Sequence, residues 1–432
     1  MRGLKLHWQI LIAMVLASVA GTLTGRDAGL FGVTYYEAYD FIGALFLNAL
    51  QMIVVPLIMA SIITGVSGMS GGGGGSGLGR LGGKTLVYYM LTSLAAILVG
   101  LTLVNAVSPG IINGQPAGER LGLAEDTESV LAGMQGRGAN ELAAVFLRMM
   151  PPNIIAAAAE GQMLGLIFFS LLFGYFMTRI PPENAASLQR FWQGVFETMM
   201  QITLWIIRFA PLGVFGLVAR TVSTTGFDAF APLAAFVVTV LAGLAIHALV
   251  TLPLLLRFVG RVSPRQHAKA FSPALLTAFS TSSSSATLPL TMECAEKNAG
   301  VSNRIASFVL PLGATVNMDG TALYECVAAM FIAQAYGIEL SFGAQFTIVT
   351  LALLTSIGVA GVPSASLVAI LVILNAVGLP VEGVGLILAV DRILDMCRTV
   401  VNVFGDTCGA VVIARTEGET EVLRGSPAAV QA

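Results

Sequence analysis

The sequence predicts an all-α membrane protein with eight transmembrane helices and two re-entrant helical hairpins. Of its 432 residues, 56% are hydrophobic and only 11% are charged, with a mean hydropathy of +0.84. Charged residues make up about a quarter of a typical soluble protein. Apolar stretches of the roughly 20 residues needed to cross a bilayer recur along the chain. Two further apolar segments are interrupted in the middle by Ser, Gly and Pro.

The eight predicted spans cover most of the chain. They lie at 6–25, 40–66, 85–109, 141–178, 188–222, 229–258, 302–333 and 383–414. The first could instead be a signal peptide, because Arg2 and Lys5 precede its apolar run and the sequence 18–20 resembles a cleavage site. We favour a retained span. The glycine run 71–75 predicts a flexible linker between the second and third spans.

The distribution of basic residues predicts the orientation. If the N-terminus is cytoplasmic, the cytoplasmic segments collect most of the Lys and Arg, as the positive-inside rule requires. These residues are Arg2, Lys5, Arg80, Lys84, Arg179, Arg190, Arg257, Arg261, Arg265 and Lys269. The acidic run between 119 and 128 falls on the opposite side. We therefore expect both termini in the cytoplasm and a plasma-membrane location, the inner membrane in a bacterium.

The two interrupted segments, 267–295 and 342–374, do not fit continuous spans. The breaks are the serine run 282–285 with Pro273 and Pro289 in the first, and Gly358, Gly361 and Pro363 in the second. Irregular backbone at membrane depth survives only where protein buries it or water reaches it. Both segments therefore predict re-entrant hairpins whose tips meet inside the protein. A low-complexity linker is the alternative for the serine run. Interrupted segments in matching positions indicate an inverted-repeat transporter.

The last predicted span carries a polar stripe. At about 100° per residue, six polar side chains fall within an arc of roughly 100°. They are Asp391, Asp395, Arg398, Thr399, Asn402 and Asp406. Each Asp or Arg near the bilayer centre opposes insertion by about 2.5–3.5 kcal/mol, so the four charges together would oppose it by roughly 10 kcal/mol if they were unpaired. Neighbouring elements must therefore supply partners.

A second polar cluster opens the seventh span. It contains Thr315, Asn317, Asp319, Thr321, Tyr324 and Glu325. The Asp319-Gly320 pair could be an ordinary turn, but apolar sequence on both sides favours a helix break within the membrane. A broken helix frees backbone carbonyls which, with Asp and Asn oxygens, suit a small hard cation. Tyr89, Thr92 and Ser93 lie on neighbouring positions of the third span.

The charges in this presumed core predict cation coupling. Five carboxylates stand against a single Arg398, and so many cannot stay ionised and dry without cations or protons. The carboxylates are Asp319, Glu325, Asp391, Asp395 and Asp406. Arg398 would suit a substrate carboxylate, whereas an aspartate would suit an ammonium group. A substrate that carries both groups fits best.

Other functional classes are disfavoured. A net charge of −2 leaves no basic field for nucleic acid, and the surplus of carboxylates argues against a passive anion channel. An enzyme is also disfavoured, because His7, His247 and His267 are scattered and none is expected in the core. The cysteines are interpreted as buried thiols; they are Cys294, Cys326, Cys397 and Cys408. No resident cofactor is expected besides the coupling ions.

Four motifs follow one another in the C-terminal half: SSSSATLP at 282–289, NMDGTALYE at 317–325, GVAGVPSAS at 358–366 and LDMCRTVVNVFGD at 394–406. In this order they resemble the motifs of the glutamate and aspartate transporters of the dicarboxylate/amino acid:cation symporter family. The resemblance spans the C-terminal half and implies a secondary active transporter of L-aspartate or L-glutamate coupled to sodium, with protons a further candidate. A C4-dicarboxylate carrier of the same superfamily is the alternative, although it typically lacks the aspartate found here as Asp395.

The resemblance also implies a glutamate-transporter fold that assembles as a homotrimer. Spans one, two, four and five, within 1–82 and 141–228, would form a scaffold. The other spans and both hairpins, within 83–109 and 229–414, would form a mobile transport domain that moves across the membrane as an elevator. Residues 110–140 would be an extracellular loop, and 415–432 a cytoplasmic tail.

By motif position, the resemblance implies a substrate site. Arg398 would hold the side-chain carboxylate and Asp395 the amino group, while Asn402 and the hairpin-tip backbone near Ser284 would hold the α-carboxylate. Neighbouring positions would complete the pocket; they are Ser283, Ser285, Thr321, Val362 and Thr399.

Three sodium sites are implied in the same way. The first comprises Gly313, Asn317, Asn402 and Asp406. The second uses backbone oxygens of Thr315, Ser356, Ile357 and Val359. The third comprises Tyr89, Thr92, Ser93, Asn317 and Asp319. Glu325 is the candidate proton carrier, and a permanently protonated glutamate is the alternative.

Departures from the family pattern leave the coupling ratio open. Archaeal relatives carry an arginine at the position of Ser282, and mammalian ones carry an arginine at the position of Met396; this chain has neither. Ser364 and Ser366 replace glycines of the archaeal second hairpin, and we expect these serines to stiffen its tip. Aspartate and glutamate differ by one methylene, so the sequence does not choose between them.

Overall fold

The computed structural model describes residues 6–30, 32–68, 76–118, 147, 150–160, 162–225, 230–356 and 366–423. Helices account for most of these residues, which confirms the predicted all-α class. The glycine run 71–75 and most of the predicted loop 110–140 lie outside the described residues.

Seven helices form the N-terminal half of the described chain. They are α1 (Leu6–Thr24), α2 (Tyr35–Gly68), α3 (Ser76–Val107), α4 (Ile154–Ala159), α5 (Met163–Met177), α6 (Pro182–Ile207) and α7 (Ala210–Thr225). Two antiparallel ribbons follow α1 and α3. They pair β1 (Gly29–Leu30) with β2 (Val33–Thr34), and β3 (Ile111–Ile112) with β4 (Gln115–Pro116).

Nine helices form the C-terminal half of the part of the chain that the structure describes. They are α8 (Phe230–Ile246), α9 (Leu252–Phe258), α10 (Pro264–Thr281), α11 (Ser284–Glu293), α12 (Asn303–Val316), α13 (Asp319–Ala335), α14 (Phe342–Ser356), α15 (Ser366–Val377) and α16 (Val384–Thr416). Two π-helical turns, His247–Thr251 and Cys294–Asn298, follow α8 and α11, and a 3-10 turn, Val381–Gly383, precedes α16.

Three helical stretches within the described residues are long and apolar enough to cross a membrane: 80–107, 231–258 and 390–416. The bent pair α6 and α7 makes a fourth if it counts as one span. Shorter apolar stretches lie in α1, α2, α5, α14 and α15. α5, for example, has 15 residues, below the roughly 20 that span a bilayer. By length and composition alone, the described helices therefore supply fewer spans than the eight that the sequence predicts.

Several predicted spans are divided in the structure. The span predicted at 188–222 breaks between Ile207 and Ala210, because Pro211 has no N–H to donate and its ring would clash with the preceding turn. The span predicted at 141–178 contains two helices, α4 and α5, within its described residues 147, 150–160 and 162–178. The span predicted at 302–333 breaks at Asn317 and Met318, where the sequence predicts a break.

One group of helices packs around α2 and α7. α1 and α2 both pack along α7, and α2 also packs against α5 and α6. Small residues allow this close approach. A Cβ at Gly21 would lie 2.6 Å from the carbonyl oxygen of Ala219, and one at Gly216 would lie 2.7 Å from that of Tyr39. Larger side chains at either glycine would separate the helices.

A second group of helices surrounds α13. α13 packs against α3, α8, α14, α15 and α16, and all residues of α13 except Gln334 are buried. α16 in turn packs against α10, α12 and α13. Contacts between the two groups run mainly through α16 on α7 and α15 on α2.

The segment predicted as the first hairpin consists of two packed helices, α10 and α11, joined at Ser282 and Ser283. Ser282 adopts a left-handed conformation with φ of 50°, which reverses the chain. The side chain of Ser283 accepts a hydrogen bond from the amide of Ala286 and thereby caps α11. Asn298 donates to the carbonyl of Ala270 and ties the far ends together. The serine run is therefore an ordered turn and helix start, and the linker alternative is wrong.

The segment predicted as the second hairpin contains α14 and α15, which also pack together. Its predicted tip at 357–365, with Gly358, Gly361 and Pro363, lies outside the described residues.

The four cysteines are free thiols. Three are buried as predicted, but Cys397 is half-buried, so the prediction is wrong for that residue.

The chain after α16 folds back onto the ends of other helices. Glu417 forms ion pairs with Arg80, at 2.8 Å, and with Lys84, at 2.6 Å, at the start of α3. These two cations lower the pKa of Glu417 to about 2. Glu419 accepts a hydrogen bond from the amide of Ser302, and Arg415 donates to the carbonyl of Gly260. The carboxylate of Glu417 therefore joins the end of α16 to the start of α3.

We expect Glu417→Gln to lower the melting temperature of the detergent-solubilised protein by roughly 1–4 °C at pH 7, because both cations lose their carboxylate partner. The pKa of Glu417 is lower in the folded protein than its ordinary value of 4.5. The stabilisation is therefore complete above about pH 4.5 and disappears as the pH falls toward 2. Thermal unfolding of both proteins at pH 7 and pH 2.5 measures this. Glu421→Gln, at an exposed position, is the control. If Glu417→Gln lowered the melting temperature equally at both pH values, the stabilising role of the ionised Glu417 carboxylate would be contradicted.

Candidate functional site

The polar stripe of the sequence lies on one continuous helix, α16, and all six members are buried. Their exposed fractions run from 1% for Arg398 to 6% for Asp395. Their partners on other elements come from α13 and from Asn317, at the break before α13. The stripe divides into two parts along the helix, one centred on Arg398 and one on Asp406.

Arg398 lies at the centre of the first part. Its Nη1 donates to Oδ1 of Asp391 and its Nη2 to Oδ1 of Asp395, both at 2.9 Å. The hydroxyl of Tyr324 donates to the same oxygen of Asp391 at 3.0 Å, and the guanidinium lies 3.8 Å above the ring of Tyr324. Asp391, which the sequence leaves without a role, is therefore a direct partner of Arg398. These contacts compensate for the burial of the cation.

A second arginine, Arg392, also reaches this part. Its Nη1 lies 3.4 Å from Oδ2 of Asp395, and its side chain is 12% exposed. The sequence-based count of a single Arg398 in the core is therefore wrong. The sequence offered little signal, because Arg392 falls just outside the arc of the stripe and its side chain is long enough to reach back into it.

Asn402 lies between the two parts and holds the start of α13. Its Oδ1 accepts hydrogen bonds from the amides of Gly320, at 2.8 Å, and Thr321, at 3.3 Å. Its Nδ2 donates to the hydroxyl of Thr321 at 3.0 Å. The first amides of a helix have no partner within it, so a side-chain oxygen must satisfy them. Asn402 performs this function across two helices.

The second part joins α3, α13, α16 and the break between α12 and α13. Nδ2 of Asn317 donates to Oδ1 of Asp406 at 3.0 Å, and the hydroxyl of Thr92 donates to Oδ1 of Asn317 at 3.3 Å. The hydroxyl of Ser93 donates to Oδ1 of Asp319 at 2.7 Å. Carboxylate, amide and hydroxyl oxygens thus converge in a site that excludes water, the donor set that a hard cation prefers.

A histidine also lies at this second part, which corrects the expectation that no histidine enters the core. His247 is fully buried, and its Nε2 lies 3.1 Å from Oδ2 of Asp319. It occupies the π-helical turn after α8, and such turns shift the register of the following side chains. His267 is also buried, but its ring packs against Phe404, away from the carboxylates.

Tyr89 and Gly313 fit tightly beside Asp406. The hydroxyl of Tyr89 donates to the carbonyl of Val309 at 2.7 Å. A Cβ at Gly313 would lie 2.5 Å from Oδ1 of Asp406 and 2.7 Å from the hydroxyl oxygen of Tyr89. Only a glycine lets α12 approach these oxygens so closely.

Glu325 occupies a separate position on α13. It is fully buried, and its Oε2 lies 2.8 Å from Oγ1 of Thr355 on α14. Its Oε1 has no hydrogen-bond partner among the described residues. The hydroxyl of Thr355 also lies 2.7 Å from the carbonyl oxygen of Leu351. The single hydroxyl proton of Thr355 can be donated to only one of these two oxygens, Oε2 of Glu325 or the carbonyl oxygen of Leu351, at a time.

The other predicted site residues are distributed as follows. Ser283 and Ser284 are buried at the start of α11, which packs against α16, whereas Ser285 is exposed. Thr399 is buried and donates to the carbonyl of Asp395. Ser356 is buried at the end of α14, and Thr315 is exposed. The predicted positions Ile357, Val359 and Val362 lie outside the described residues.

Helices that break beside buried carboxylates, an asparagine and an arginine are typical of ion-coupled secondary transporters. The model of the sodium:dicarboxylate symporter family matches residues 6–416, and the chain belongs to this family.

Relatives from bacteria and animals match nearly the whole chain. A proton/sodium-glutamate symport protein of Geobacillus stearothermophilus is 36% identical over 97% of this chain and 96% of its own length. A proton/glutamate-aspartate symporter of Escherichia coli is 37% identical over 96% and 94%. Excitatory amino acid transporter 3 of Oryctolagus cuniculus is 36% identical over 96% and 86%. These relatives are transporters, which confirms that the chain is not an enzyme.

We expect Gly313→Ala to weaken sodium binding, because the new methyl group would collide with Asp406 and Tyr89. Overpacking of this kind costs about 1–3 kcal/mol, or roughly five- to 150-fold in affinity. The rise in melting temperature with sodium concentration, at constant ionic strength, measures the effect. Gly83→Ala is the matched control, because nothing lies within 4 Å of a Cβ there. An unchanged sodium dependence in Gly313→Ala would contradict a cation site beside Asp406.

Proposed function

We propose that the protein is a secondary active symporter that imports acidic amino acids, L-aspartate, L-glutamate or both, coupled to sodium and to protons. The observation that carries this proposal is the buried Arg398 held between Asp391 and Asp395. A buried arginine with two carboxylate partners can exchange one of them for a substrate carboxylate at little electrostatic cost. The relatives named as glutamate and aspartate symporters support the same substrate class.

In the proposed substrate site, Arg398 binds the side-chain carboxylate and Asp395 the amino group. Nε of Arg398 has no acceptor among the described residues, which leaves a donor for a bound anion. Asn402 and the start of α11 near Ser284 bind the α-carboxylate, with Ser283, Thr321 and Thr399 beside them. Val362 and Ser285 are included in the proposed site only because of their positions in the family motifs.

The proposed sodium sites use the second part of the stripe. Gly313, Asn317, Asn402 and Asp406 form one, and Tyr89, Thr92, Ser93, Asn317 and Asp319 form another. The close contacts among Thr92, Asn317 and Asp406 support this grouping, because each contributes an oxygen to the same buried region. A further site would use backbone oxygens of Thr315, Ser356, Ile357 and Val359.

We propose eight spans, two re-entrant hairpins and an elevator mechanism in a homotrimer. The two packing groups support the proposed division into a scaffold within 1–82 and 141–228 and a transport domain within 83–109 and 229–414. The ion pairs at Arg80 and Lys84 bring the tail to the basic end of α3. This supports a cytoplasmic C-terminus and, with the family, an inner-membrane location.

The alternative is a C4-dicarboxylate symporter of the same family. Such a substrate has two carboxylates and no ammonium group. The buried Asp395 beside Arg398 favours the amino acid, because its carboxylate can bind an ammonium group and would repel a second carboxylate.

Radiolabelled aspartate uptake into proteoliposomes, with sodium and pH gradients imposed separately, tests the proposal. We expect an inward sodium gradient to drive accumulation, and excess glutamate to inhibit it. Stronger inhibition by succinate than by glutamate would favour the alternative. Uptake that ignores both gradients would overturn the coupled-carrier proposal.

In the same assay, Arg398→Cys should abolish uptake of acidic substrates. Removing one partner of a buried ion pair costs about 3–5 kcal/mol, a factor of several hundred or more. Arg190→Cys on exposed α6 is the control. Unchanged aspartate affinity in Arg398→Cys would show that another residue anchors the carboxylate.

The geometry around Glu325 supports proton coupling. If the hydroxyl proton of Thr355 is donated to the carbonyl of Leu351, as in an ordinary helix, then Glu325 must supply the proton between Oε2 and Oγ1. Glu325 is fully buried and has no cationic partner among the described residues, so its protonated form is favoured. A change that opens this position to water would allow the proton to leave.

Glu325→Gln keeps the shape and the capacity to donate a hydrogen bond, but it removes the titratable proton. We expect sodium-driven uptake to persist and the response to an imposed pH gradient to disappear. Thr355→Val, which removes the partner hydroxyl and leaves the carboxyl, is the matched variant. A full response to the pH gradient in Glu325→Gln would exclude this residue as the carrier.

A further inference from the structure

Arg392 is a cation of the substrate region that the sequence motifs do not assign. It lies three residues before Asp395 on α16, a spacing that brings side chains together on one face of a helix. Its Nη1 is 3.4 Å from Oδ2 of Asp395, while Arg398 holds Oδ1 at 2.9 Å. The two guanidinium groups therefore contact opposite oxygens of one carboxylate.

With Arg392 included, the charges in this part of the molecule balance. Asp391 and Asp395 carry two negative charges, and Arg392 and Arg398 carry two positive ones. Without Arg392 the same group would carry a net charge of −1. An acidic amino acid also carries a net charge of −1, so it would then enter a region of its own sign.

Each of the two arginines also has one N–H donor without an acceptor among the described residues. The Nε atoms of Arg392 and Arg398 are both buried and find no hydrogen-bond partner among the described residues. A buried N–H without an acceptor is costly, and a carboxylate is the acceptor that a guanidinium matches best. Two such donors beside one aspartate point to a ligand that carries negative charge.

We propose that Arg392 is a positioning residue for substrate that favours acidic over neutral amino acids. It acts through Asp395 and through its charge. It keeps Oδ2 of Asp395 ion-paired until the substrate amino group takes its place, and it then remains as the second cation beside the substrate carboxylates. The long contact of 3.4 Å suits this exchange, because it is weaker than the 2.9 Å pair made by Arg398. The inference rests on the proposed function.

L-Aspartate and L-asparagine test the proposal, since they have nearly the same shape and differ by one charge. The half-saturating aspartate concentration is measured by sodium-driven uptake into proteoliposomes, and asparagine is measured as an inhibitor of that uptake. For Arg392→Gln we expect the aspartate value to rise roughly tenfold or more, as removal of one partly buried charge predicts. The asparagine inhibition constant should change by less than about threefold.

Arg392→Lys keeps the charge and should stay within about threefold of the wild type for aspartate. Arg190→Gln, on exposed α6, is the control for loss of an arginine in general. If a variant does not transport, the shift of its melting temperature with aspartate and with asparagine gives the same comparison.

Three results would overturn the inference: wild-type aspartate affinity in Arg392→Gln, equal losses for aspartate and asparagine, or an Arg392→Lys variant as impaired as Arg392→Gln. In each of these the wild type still transports aspartate, so the proposed function survives. If the wild type shows no sodium-driven aspartate uptake, the proposed function fails and the inference fails with it.

Discussion

The pairing of Arg398 with Asp391 and Asp395 is the interaction on which the rest of the structure depends. A charged group that is only 1% exposed is stable only when groups of opposite charge and hydrogen-bond acceptors lie beside it. Asp391 and Asp395 lie on its own helix, and Tyr324 approaches from α13. This requirement fixes the rotation of α16 and brings α13 against it. The break before α13 then falls beside Asn402 and Asp406, where the remaining polar groups gather.

The same requirement explains why the core contains small residues and broken helices. Gly313 and Gly405 allow oxygens to approach backbone at distances that a Cβ would prevent. The end of α12 and the start of α13 leave backbone groups unpaired, and Asn402 satisfies two of the amides. Irregular backbone is tolerated here because protein surrounds it. Buried charge, close packing and helix breaks thus occur together at one place.

Sequence reasoning predicted many of the polar residues that lie together in the core, because their pattern is unusual. Polar residues at helical spacing in an apolar segment have few explanations, so the stripe on α16, the break near Asn317 and the turn at Ser282 could all be predicted. Arg392 and His247 could not. Arg392 borders the stripe and reaches it only through a long side chain, and His247 faces Asp319 from another helix. Both contacts depend on rotamers and helix packing, which a spacing pattern does not encode.

The sequence by itself determined the class of protein, the helical segments and most of the residues that meet in the core, because hydrophobicity and period are local properties of the chain. Only the tertiary structure decided which charges are paired. It assigned Asp391 to Arg398, gave Asp395 a second cation, and placed His247 on Asp319. Some of these pairs join residues that are far apart in the sequence, and others depend on how far a long side chain can reach. They form because a buried charge has a lower free energy with a partner than without one.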